Sequence, residues 1–266
     1  MKKIKIYQVD AFTDTLFSGN PAAVCLTDEW LGDELMQSIA AENNLAETAF
    51  VVPKGQDFEI RWFTPAIEVD LCGHATLASA FVLFNVLHYP GALIRFHSPK
   101  SGWLAVEKRG DMLFLDFPSD CLKELSEEDN TLMEKCTGVK VISAYKGKTD
   151  YIAVIDNERS LKDLNPDFGE IAKLKARGLI VTAKGDDTDF VSRFFAPQSG
   201  IDEDPVTGSA HTSLLPLWSK ITGKTNLCAK QLSARGGKLV CEFQGDRCLI
   251  GGKACLFLSG EIYLNE

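Results

Sequence analysis

The hydrophobic pattern of this chain repeats about halfway along its length. An alternating segment that ends in Arg-Trp-Phe-Thr-Pro at residues 61–65 has a counterpart that ends in Arg-Phe-Phe-Ala-Pro at residues 193–197. Each copy is followed by an acidic loop and then by an apolar helix, which starts with Gly-His-Ala at residues 73–75 or with Gly-Ser-Ala at residues 208–210. This repeat predicts two similar halves, with polar residues at equivalent strand-to-helix corners and a site between the halves.

The first half is predicted to form strands around a buried helix. Residues 33–43 carry apolar side chains at a helical spacing. Residues 75–87 are apolar nearly all round, which is typical of a helix buried on most sides, and we expect this helix to form the core. Runs bounded by turn residues predict strands at 4–11, 22–26, 49–52, 58–63, 93–96, 102–108 and 112–117.

The second half repeats this order. Helices are predicted at residues 131–136, 169–177 and 210–221, and Pro216 is expected to bend the last of them. Strands are predicted at 141–145, 151–155, 179–182, 189–195, 238–244, 247–251 and 254–264. A polar break after Phe117 divides the chain into halves at 1–118 and 119–255, and the C-terminal strand, about 256–266, is expected to join the first half.

Composition excludes several classes of function. With 266 residues, of which 45% are hydrophobic and 24% charged, the chain has the composition of an ordinary soluble globular protein. Its net charge of −9 and its lack of a basic cluster argue against nucleic-acid binding. The start has no apolar block typical of a signal peptide, and the longest apolar run, 77–86, is too short to span a bilayer, so we expect a cytoplasmic protein without a membrane partner.

Metal and nucleotide motifs are also missing from the sequence. The eight cysteines are scattered without a Cys-x-x-Cys pair, which favours reduced thiols over disulfides or zinc ligands. His88 and His97 have no spacing that indicates a metal site, and the glycine-rich nucleotide-binding motifs do not occur. We therefore expect proton transfer without a metal or cofactor.

Both corners place glycine and small residues at the first turn of an apolar helix. The unpaired N–H groups and the dipole of a helix N-terminus favour a bound carboxylate or phosphate. Gly73, Gly208 and Ser209 are the residues at these positions. A simple N-cap role is an equally good interpretation of Ser209 taken alone.

His74 and Asp204 are the titratable residues at the two corners. The positive end of the helix dipole is expected to keep His74 neutral and able to donate or accept a proton, and Asp70 and Cys72 lie beside it in the sequence. Its alternative role is to cap its own helix. Asp204 precedes Pro205, which fixes the turn, although the acidic run at 202–204 could equally be a solvated loop.

Two further residues are candidate proton carriers. Glu47 lies at the entry to an apolar strand, where burial is expected to raise the pKa of its carboxyl group toward neutrality, as suits a general acid or base. Cys72 precedes a helix N-terminus, which can acidify a thiol enough for it to abstract a proton. The second corner has no cysteine, so a symmetric mechanism with two thiols is not supported.

Several motifs together resemble one protein family. The chain is similar to the phenazine-biosynthesis PhzF-like isomerases, which are related to diaminopimelate epimerase and proline racemase. The similarity runs from the first strand to the second corner. The matching motifs are Tyr-Gln-Val-Asp-Ala-Phe at 7–12, Gly-Asn-Pro-Ala-Ala-Val at 19–24, Asn-Leu-Ala-Glu-Thr-Ala-Phe at 44–50, Asp-Leu-Cys-Gly-His-Ala-Thr at 70–76 and Asp-Pro-Val-Thr-Gly-Ser-Ala at 204–210.

The resemblance implies a fold and an activity. The implied fold is an α/β (α+β) architecture of the diaminopimelate epimerase type, with two pseudo-symmetric halves that each wrap a curved, mostly antiparallel sheet around a central helix, and with a homodimer as the assembly. It implies that Glu47 is the general acid/base that moves a proton along a small cyclic amino acid, assisted by His74 and Asp204. The residues implied to hold the substrate are Asp70, Cys72, Gly73, Gly208 and Ser209.

We therefore expect a cofactor-independent isomerase that acts on a small amino or hydroxy carboxylic acid through Glu47. Racemases of this fold use paired cysteines, whereas here only Cys72 lies near a racemase-like position. An amino-acid racemase or epimerase that uses Cys72 is the first alternative. A protein that binds small carboxylates without catalysis is the second. The sequence does not name the substrate or tie it to phenazine production.

Overall fold

The computed structural model describes residues 2–264, and its N-terminal part follows the predicted order of elements. The predicted helix at 33–43 is confirmed with the same bounds. No helix in residues 2–264 is both long enough and apolar enough to cross a membrane. The elements are β1 (Lys2–Ala11), β2 (Asn20–Leu26), α1 (Asp33–Asn43), β3 (Glu47–Lys54), β4 (Asp57–Phe63), β5 (Glu68–Val69), α2 (Gly73–Phe81), β6 (Leu93–Ser98), β7 (Gly102–Arg109) and β8 (Met112–Pro118).

The remaining elements complete the chain. They are β9 (Lys123–Glu124), α3 (Glu127–Thr137), β10 (Val141–Lys146), β11 (Asp150–Ile155), α4 (Glu158–Lys162), α5 (Phe168–Ile171), β12 (Gly178–Lys184), β13 (Phe190–Ala196), β14 (Ile201–Glu203), α6 (Gly208–Thr222), β15 (Asn226–Gln231), β16 (Gly237–Phe243), β17 (Arg247–Gly252) and β18 (Ala254–Leu264). The C-terminal strand has the predicted bounds. The chain divides into a first unit, which contains the residues up to Asp116 and from Gly251 onward, and a second unit, Phe117–Ile250.

The first unit is a mixed, mostly antiparallel sheet that surrounds α2. Strand β1 pairs antiparallel with β18 and β2, β2 pairs parallel with β3, and β3 pairs antiparallel with β4. Strand β4 then pairs antiparallel with β5 and parallel with β6, which continues antiparallel through β7 to β8. Helix α2 contacts β1, β2, β3, β7 and β18. Because these strands include both outer regions of the sheet, the sheet curves around the helix.

The second unit repeats the same pattern of strand pairing. Strand β10 pairs antiparallel with β11, β11 parallel with β12, and β12 antiparallel with β13. Strand β13 then pairs antiparallel with the short β14 and parallel with β15, which is antiparallel to β16. Each strand from β1 to β7 therefore has a counterpart in β10 to β16 with the same partners and directions. The duplication seen in the sequence extends to the hydrogen-bonding pattern of the sheets.

Helix α2 is buried along its whole length. Its small residues, among them Ala75, Ala78 and Ala80, let the surrounding strands approach its backbone closely. Its buried hydroxyls are satisfied within the helix, since Thr76 donates to the carbonyl of Cys72 at 2.6 Å and Ser79 donates to that of Ala75 at 2.7 Å. The predicted helix at 75–87 is only partly correct, because the α-helix gives way to a π-helical turn over Val82–Val86.

The prediction of a helix at residues 169–177 is wrong. Only α5, a single turn, forms there. The N–H of Arg177 donates to the carbonyl of Thr149 at 2.8 Å, and its guanidinium binds the carboxylate of Asp150. These contacts hold the end of the segment next to β12, whose first residue is Gly178. Helical periodicity in the sequence does not reveal contacts of this kind.

Helix α6 continues through Pro216. Because proline has no N–H, the carbonyl of Thr212, four residues earlier, loses its partner within the helix. The N–H of Asp120 donates to this carbonyl at 3.2 Å, and the thiol of Cys248 lies 3.7 Å from it. Contacts from outside the helix therefore replace the missing hydrogen bond.

Candidate active site

Three of the predicted site residues lie together in the first unit, with one residue that the prediction did not include. Glu47 is the first residue of β3, and Asn20 is the first residue of the parallel neighbour β2, where Glu47 pairs with Ala22. Cys72 and His74 flank the start of α2, which packs on both strands. The fold thus brings the beginnings of two strands and of the central helix to one place. We call Asn20, Glu47, Cys72 and His74 the acid/base cluster.

The imidazole of His74 is the centre of the acid/base cluster. Its Nε2 lies 3.1 Å from Oε2 of Glu47. Its Nδ1 lies 3.2 Å from Nδ2 of Asn20 and 3.5 Å from Sγ of Cys72. The side chain of His74 is 7% exposed and that of Glu47 is 19% exposed. The side chain of Glu47 is therefore more exposed than that of His74, although its Oε2 atom is itself buried.

The prediction of a raised pKa for Glu47 is wrong. Burial raises the pKa of this carboxyl group. The charge of His74 and the hydrogen bonds from His74 and Cys72 lower it by a larger amount, so the pKa lies below its ordinary value. The sequence shows the burial of the strand but not the partners that the fold brings to it. At neutral pH the carboxylate is ionised and can accept a proton.

The prediction of a neutral His74 is also wrong. Burial lowers the pKa of the imidazole, but the sulfur of Cys72 and the carboxylate of Glu47 outweigh it, and the pKa is raised well above the ordinary value for histidine. The dipole of α2 disfavours the imidazolium, yet a carboxylate at 3.1 Å acts over a much shorter distance. His74 therefore forms an ion pair with Glu47 and does not cap its helix.

The expected acidification of Cys72 does not occur. Burial raises the pKa of the thiol, and the nearby negative charge of Glu47 adds to this effect. Cys72 is 6% exposed, and its side chain makes no capping hydrogen bond at the start of α2. The thiol remains protonated at neutral pH and is a weak candidate for a base.

The two buried histidines provide a direct test of these charge states. His211 donates through its Nδ1–H to the carbonyl of Thr207 at 2.8 Å, and burial lowers the pKa of its imidazole to about 4. Nitrogen-15 NMR at pH 7 should therefore show His211 as a neutral ring and His74 as an imidazolium. Glu47→Gln should lower the pKa of His74, since the neutral amide no longer stabilises the cation, and leave His211 unchanged. A neutral His74 in the wild type at pH 7 would contradict this assignment.

The second corner is held together by Gln231, which the sequence did not indicate. The side chain of Asp204 accepts a hydrogen bond from the hydroxyl of Thr207. Gln231 accepts from the N–H of Thr207 at 2.8 Å and donates to the carbonyl of Asp204 at 2.8 Å. Gln231 is 1% exposed. The corner is therefore a built turn and not a solvated acidic loop.

Ser209 lies inside the first turn of α6, and its partner is Arg177. Thr207, not Ser209, occupies the N-cap position, so the N-cap interpretation of Ser209 is wrong. The guanidinium of Arg177 donates to Oγ of Ser209 at 2.9 Å and is held at 2.5 and 3.0 Å by Asp150, whose side chain is 1% exposed. Because the carboxylate of Asp150 neutralises this guanidinium, the pair fixes the position of Ser209 beside the helix N-terminus without adding net charge there. Arg177 was missed because its segment was interpreted as a helix.

The other predicted residues differ in their surroundings. Gly73 and Gly208 begin α2 and α6, as predicted for the corners. Asp70 does not join the acid/base cluster, because its side chain is 78% exposed and lies 3.3 Å from Nζ of Lys100. Asn20 stands in the Gly-Asn-Pro motif, where it was interpreted only as part of a turn. Its position at the start of a buried strand was the feature of the sequence that could have indicated a contact between its side chain and other residues.

The acid/base cluster also has the composition of a metal site. Ligand atoms of Glu47, Cys72 and His74 all lie within 4.8 Å of one another. Carboxylate, thiolate and imidazole are the ligands that zinc takes in proteins. The sequence-based expectation of no metal site did not take these contacts into account.

The chain is similar over its whole length to proteins of one family. Residues 9–260 match the family model for phenazine biosynthesis-like proteins, PhzC-PhzF. An uncharacterized isomerase of Pseudomonas aeruginosa is 49% identical over 262 residues, which cover 98% of this chain and 100% of the relative. The crystal structure of a PhzF family phenazine biosynthesis protein from Enterococcus faecalis has 47% identity and a TM-score of 0.95, and the match covers 99% of this chain and 100% of that one.

A more distant structure shares only the fold. The hydroxyproline epimerase of Agrobacterium vitis has 10% identity and a TM-score of 0.59, with 99% of this chain and 93% of that chain covered. Together with the repeated pairing of strands, this likeness supports the predicted α/β fold of the diaminopimelate epimerase type.

Proposed function

The chain belongs to the phenazine biosynthesis-like PhzF family of isomerases, and we propose that it shifts a proton on a small carboxylic acid with Glu47 as general base and acid. The substrate carries an amino or hydroxy group, and the resemblance favours a cyclic acid. The observation that carries the proposal is the contact between Oε2 of Glu47 and Nε2 of His74 at 3.1 Å, which keeps a partly exposed carboxylate ionised.

In the proposed reaction, Glu47 removes a proton from a carbon atom of the substrate and returns it to another carbon of the same molecule. When Glu47 takes up this proton, it loses its charge, and the imidazolium of His74 turns toward the negative charge that develops on the substrate. The side-chain amide of Asn20 lies 3.2 Å from Nδ1 on the other side of the ring, and with the amide rotated by half a turn its carbonyl oxygen accepts from the Nδ1–H of the imidazolium. The reaction needs only these proton-transfer groups, so we propose that it proceeds without a cofactor.

The roles of Asp204, Gly208 and Ser209 remain predictions that rest on the resemblance. The N-terminus of α6 favours a carboxylate ligand over a neutral one, and Arg177 positions Ser209 beside it. Asp70, being highly exposed, is a weaker candidate for substrate binding than the other residues. The expected homodimer and the cytoplasmic location also remain predictions.

One observation favours a second candidate function, which is an amino-acid racemase or epimerase that uses Cys72. Its Sγ lies 3.5 Å from Nδ1 of His74, within the same acid/base cluster as Glu47. The raised pKa of this thiol argues against it, because only the thiolate can remove a proton from carbon. The isomerase with Glu47 as its single base is therefore the better supported proposal.

The proposal is tested by deuterium uptake from heavy water. Cyclic and aliphatic amino and hydroxy acids are incubated with the enzyme, and uptake is followed by mass spectrometry for the wild type, Glu47→Gln and Cys72→Ala. An isomerase acting through Glu47 loses uptake with Glu47→Gln, whereas a racemase acting through Cys72 loses it with Cys72→Ala. Saturable binding of an acid without uptake in any protein would indicate a carboxylate-binding protein.

Cys72→Ala is expected to retain uptake at a rate within about tenfold of the wild type. The loss of a residue that itself transfers the proton costs more than this, so a smaller loss is expected if Glu47 and not Cys72 is the base. The variant removes a hydrogen-bond partner of Glu47 and His74 but leaves their contact intact. The rate is measured with the acid that gives the strongest uptake in the wild type. Complete loss of uptake, with an unchanged circular dichroism spectrum, would instead favour the racemase.

A further inference from the structure

We propose that Asn20 is a positioning residue, whose side-chain carbonyl accepts a hydrogen bond from the Nδ1–H of His74. This contact fixes the ring with Nε2 toward Glu47, and it keeps the imidazole from pairing with the thiol of Cys72. The Gly-Asn-Pro motif at residues 19–21 holds the side chain of Asn20 in place for this contact. The expected effect of Asn20 on turnover rests on the proposed function, whereas its expected effect on the protons of His74 and Cys72 does not.

The backbone of Asn20 is held by both of its neighbours in the chain. Gly19 has a φ of +68°, and a Cβ at this position would lie 2.2 Å from the carbonyl oxygen of Ala11, so only glycine fits there. Pro21 restricts the residue before it to an extended backbone. Asn20 itself pairs with Ala11 of β1 and is fully buried. Every residue of the motif therefore contributes to a fixed position of the Asn20 side chain.

The register of the strands directs Asn20 and Glu47 to the same face of the sheet. Side chains two residues apart lie on one face of a strand, so Asn20 shares a face of β2 with Ala22. Ala22 pairs with Glu47 in the parallel ladder between β2 and β3. Helix α2 packs on both strands, and His74 is its second residue. The asparagine and the glutamate thus reach the same ring, each from its own strand.

The two ring nitrogens of His74 have different partners. An imidazolium carries an N–H on each nitrogen and needs an acceptor for each. The carboxylate of Glu47 lies at Nε2, at 3.1 Å. Nδ1 has two neighbours, the amide of Asn20 at 3.2 Å and the sulfur of Cys72 at 3.5 Å. Because an amide oxygen is a better acceptor than sulfur, the cation selects the amide orientation that presents the carbonyl of Asn20 to Nδ1–H.

This contact also determines the state of Cys72. While Asn20 accepts the Nδ1–H, the thiol does not receive a hydrogen bond from the cation, and it keeps its proton. Without the amide, the sulfur at 3.5 Å is left to accept this hydrogen bond, which favours the thiolate. Asn20 therefore helps to make the carboxylate of Glu47, and not the thiol, the base of the cluster.

The experiment uses nitrogen-15 NMR of the full chain and needs no substrate. In the wild type at pH 7 we expect a proton on Nδ1 of His74. Asn20→Leu, which has nearly the same size but no acceptor, should lower the pKa of His74 and also that of the Cys72 thiol. Asn20→Asp retains an acceptor oxygen and should keep the imidazolium and the protonated thiol. The thiol is titrated by the ultraviolet absorbance of the thiolate, with each protein compared to its Cys72→Ala version.

Asn43→Leu is the matched control. Asn43 belongs to the same unit, and its amide donates to Oγ1 of Thr48, the residue after Glu47, at 3.1 Å. This variant should leave the titrations of His74 and Cys72 unchanged. Equal shifts in Asn20→Leu and Asn43→Leu would overturn the proposal, since they would reflect a general loosening of the strands. Absence of a proton on Nδ1 in the wild type would overturn it without reference to any variant.

Deuterium uptake measures the effect on turnover. Asn20→Leu should lower kcat by about a hundredfold with little change in KM, because a misdirected His74 no longer stabilises the charge that develops after the substrate is bound. Asn20→Asp should restore most of the rate. A loss of uptake without a shift in either titration would indicate a purely structural role and would overturn the proposal. Absence of uptake in the wild type would contradict the proposed function alone, since the titrations test Asn20 independently.

Discussion

Glu47→Gln is expected to lower the rate of deuterium incorporation by about 10²–10⁴-fold, the usual contribution of a positioned general acid or base. Glutamine has nearly the size and shape of glutamate but cannot accept a proton from carbon. The loss should appear in kcat as well as in kcat/KM, because the proton transfer takes place after the substrate is bound. Mass-spectrometric uptake under saturating and limiting substrate separates the two constants.

The fold should tolerate this substitution. Removing one partner of a buried ion pair usually leaves a costly unpaired charge. Here the remaining partner is a histidine, whose pKa falls when Glu47 loses its charge, so that the ring becomes neutral at physiological pH. The amide of glutamine can still contact Nε2, which is 3.1 Å from the native carboxylate. We therefore expect little change in the far-ultraviolet circular dichroism spectrum.

Glu59→Gln provides the control for the loss of a negative charge elsewhere on the same sheet. Glu59 lies on β4, the strand that pairs with β3, but its carboxylate binds Lys54 and receives a hydrogen bond from Trp30 at 2.9 Å. Uptake should be unchanged in this variant. Equal losses in Glu47→Gln and Glu59→Gln would mean that general electrostatics, and not proton transfer by Glu47, explains the effect.

The sequence predicted the location of the candidate site better than its charge states. Glu47, Cys72 and His74 were identified because they stand at the start of a strand and of an apolar helix, and such positions follow from local patterns. Their pKa values depend on distances between elements that are far apart in the chain, such as 3.1 Å from Glu47 to His74. Burial and helix dipoles, the two effects visible in the sequence, both point in the opposite direction to the ion pair that forms.

Residues with supporting roles were harder to find for the same reason. Asn20 and Gln231 act through side-chain hydrogen bonds to partners 54 and 24 positions away. Arg177 requires Asp150, which lies 27 positions earlier. No local periodicity encodes these pairs. By contrast, the strands and helices follow from turn residues and periodicity, and the repeated Arg-x-Phe segments correctly indicated a duplication.

The structure explains why arginine recurs in both repeated segments. Arg61 binds both carboxylate oxygens of Glu68 at 2.7 and 3.0 Å, and Arg193 binds those of Glu203 at the same two distances. Each pair joins a long strand to the short strand before the corner, β4 to β5 or β13 to β14. The bidentate pair thus holds the acidic loop that leads to each helix.

The two arginines differ in what their remaining nitrogen binds. Nη1 of Arg61 binds Asp33, whose side chain is 76% exposed, and such an exposed pair contributes only about 0–1 kcal/mol. Nη1 of Arg193 instead donates to the carbonyls of Leu161 and Leu164 at 3.2 and 2.7 Å, in residues that are 0% and 5% exposed. Without Arg193 the buried carbonyl of Leu164 loses this donor, whereas the carbonyl of Leu161 still accepts from the N–H of Leu164 at 3.4 Å.

Arg193→Gln should therefore lower the free energy of unfolding by at most about 3–5 kcal/mol, the usual cost of breaking a fully buried ion pair from one side, since the side chains of Arg193 and Glu203 are 13% and 20% exposed. Arg61→Gln should cost about 1–3 kcal/mol less, which is the usual penalty for a buried acceptor that loses its donor, here the carbonyl of Leu164. The ring contacts favour the opposite order, because the guanidinium of Arg61 lies 5.5 Å from the Trp30 ring as well as 5.2 Å from the Phe63 ring, whereas that of Arg193 lies 4.9 Å from the Phe195 ring.

Urea unfolding followed by circular dichroism measures both values, with one or two transitions fitted as the two units require. Because the two arginines have the same bidentate partner geometry, each variant is the control for the other. If both variants lost the same stability, the carbonyl contacts at the end of α4 would contribute nothing, and the repeated ion pair alone would account for the loss. A larger loss for Arg193→Gln, confined to the transition of the second unit, would instead show that this copy of the repeat also fastens α4 to its sheet.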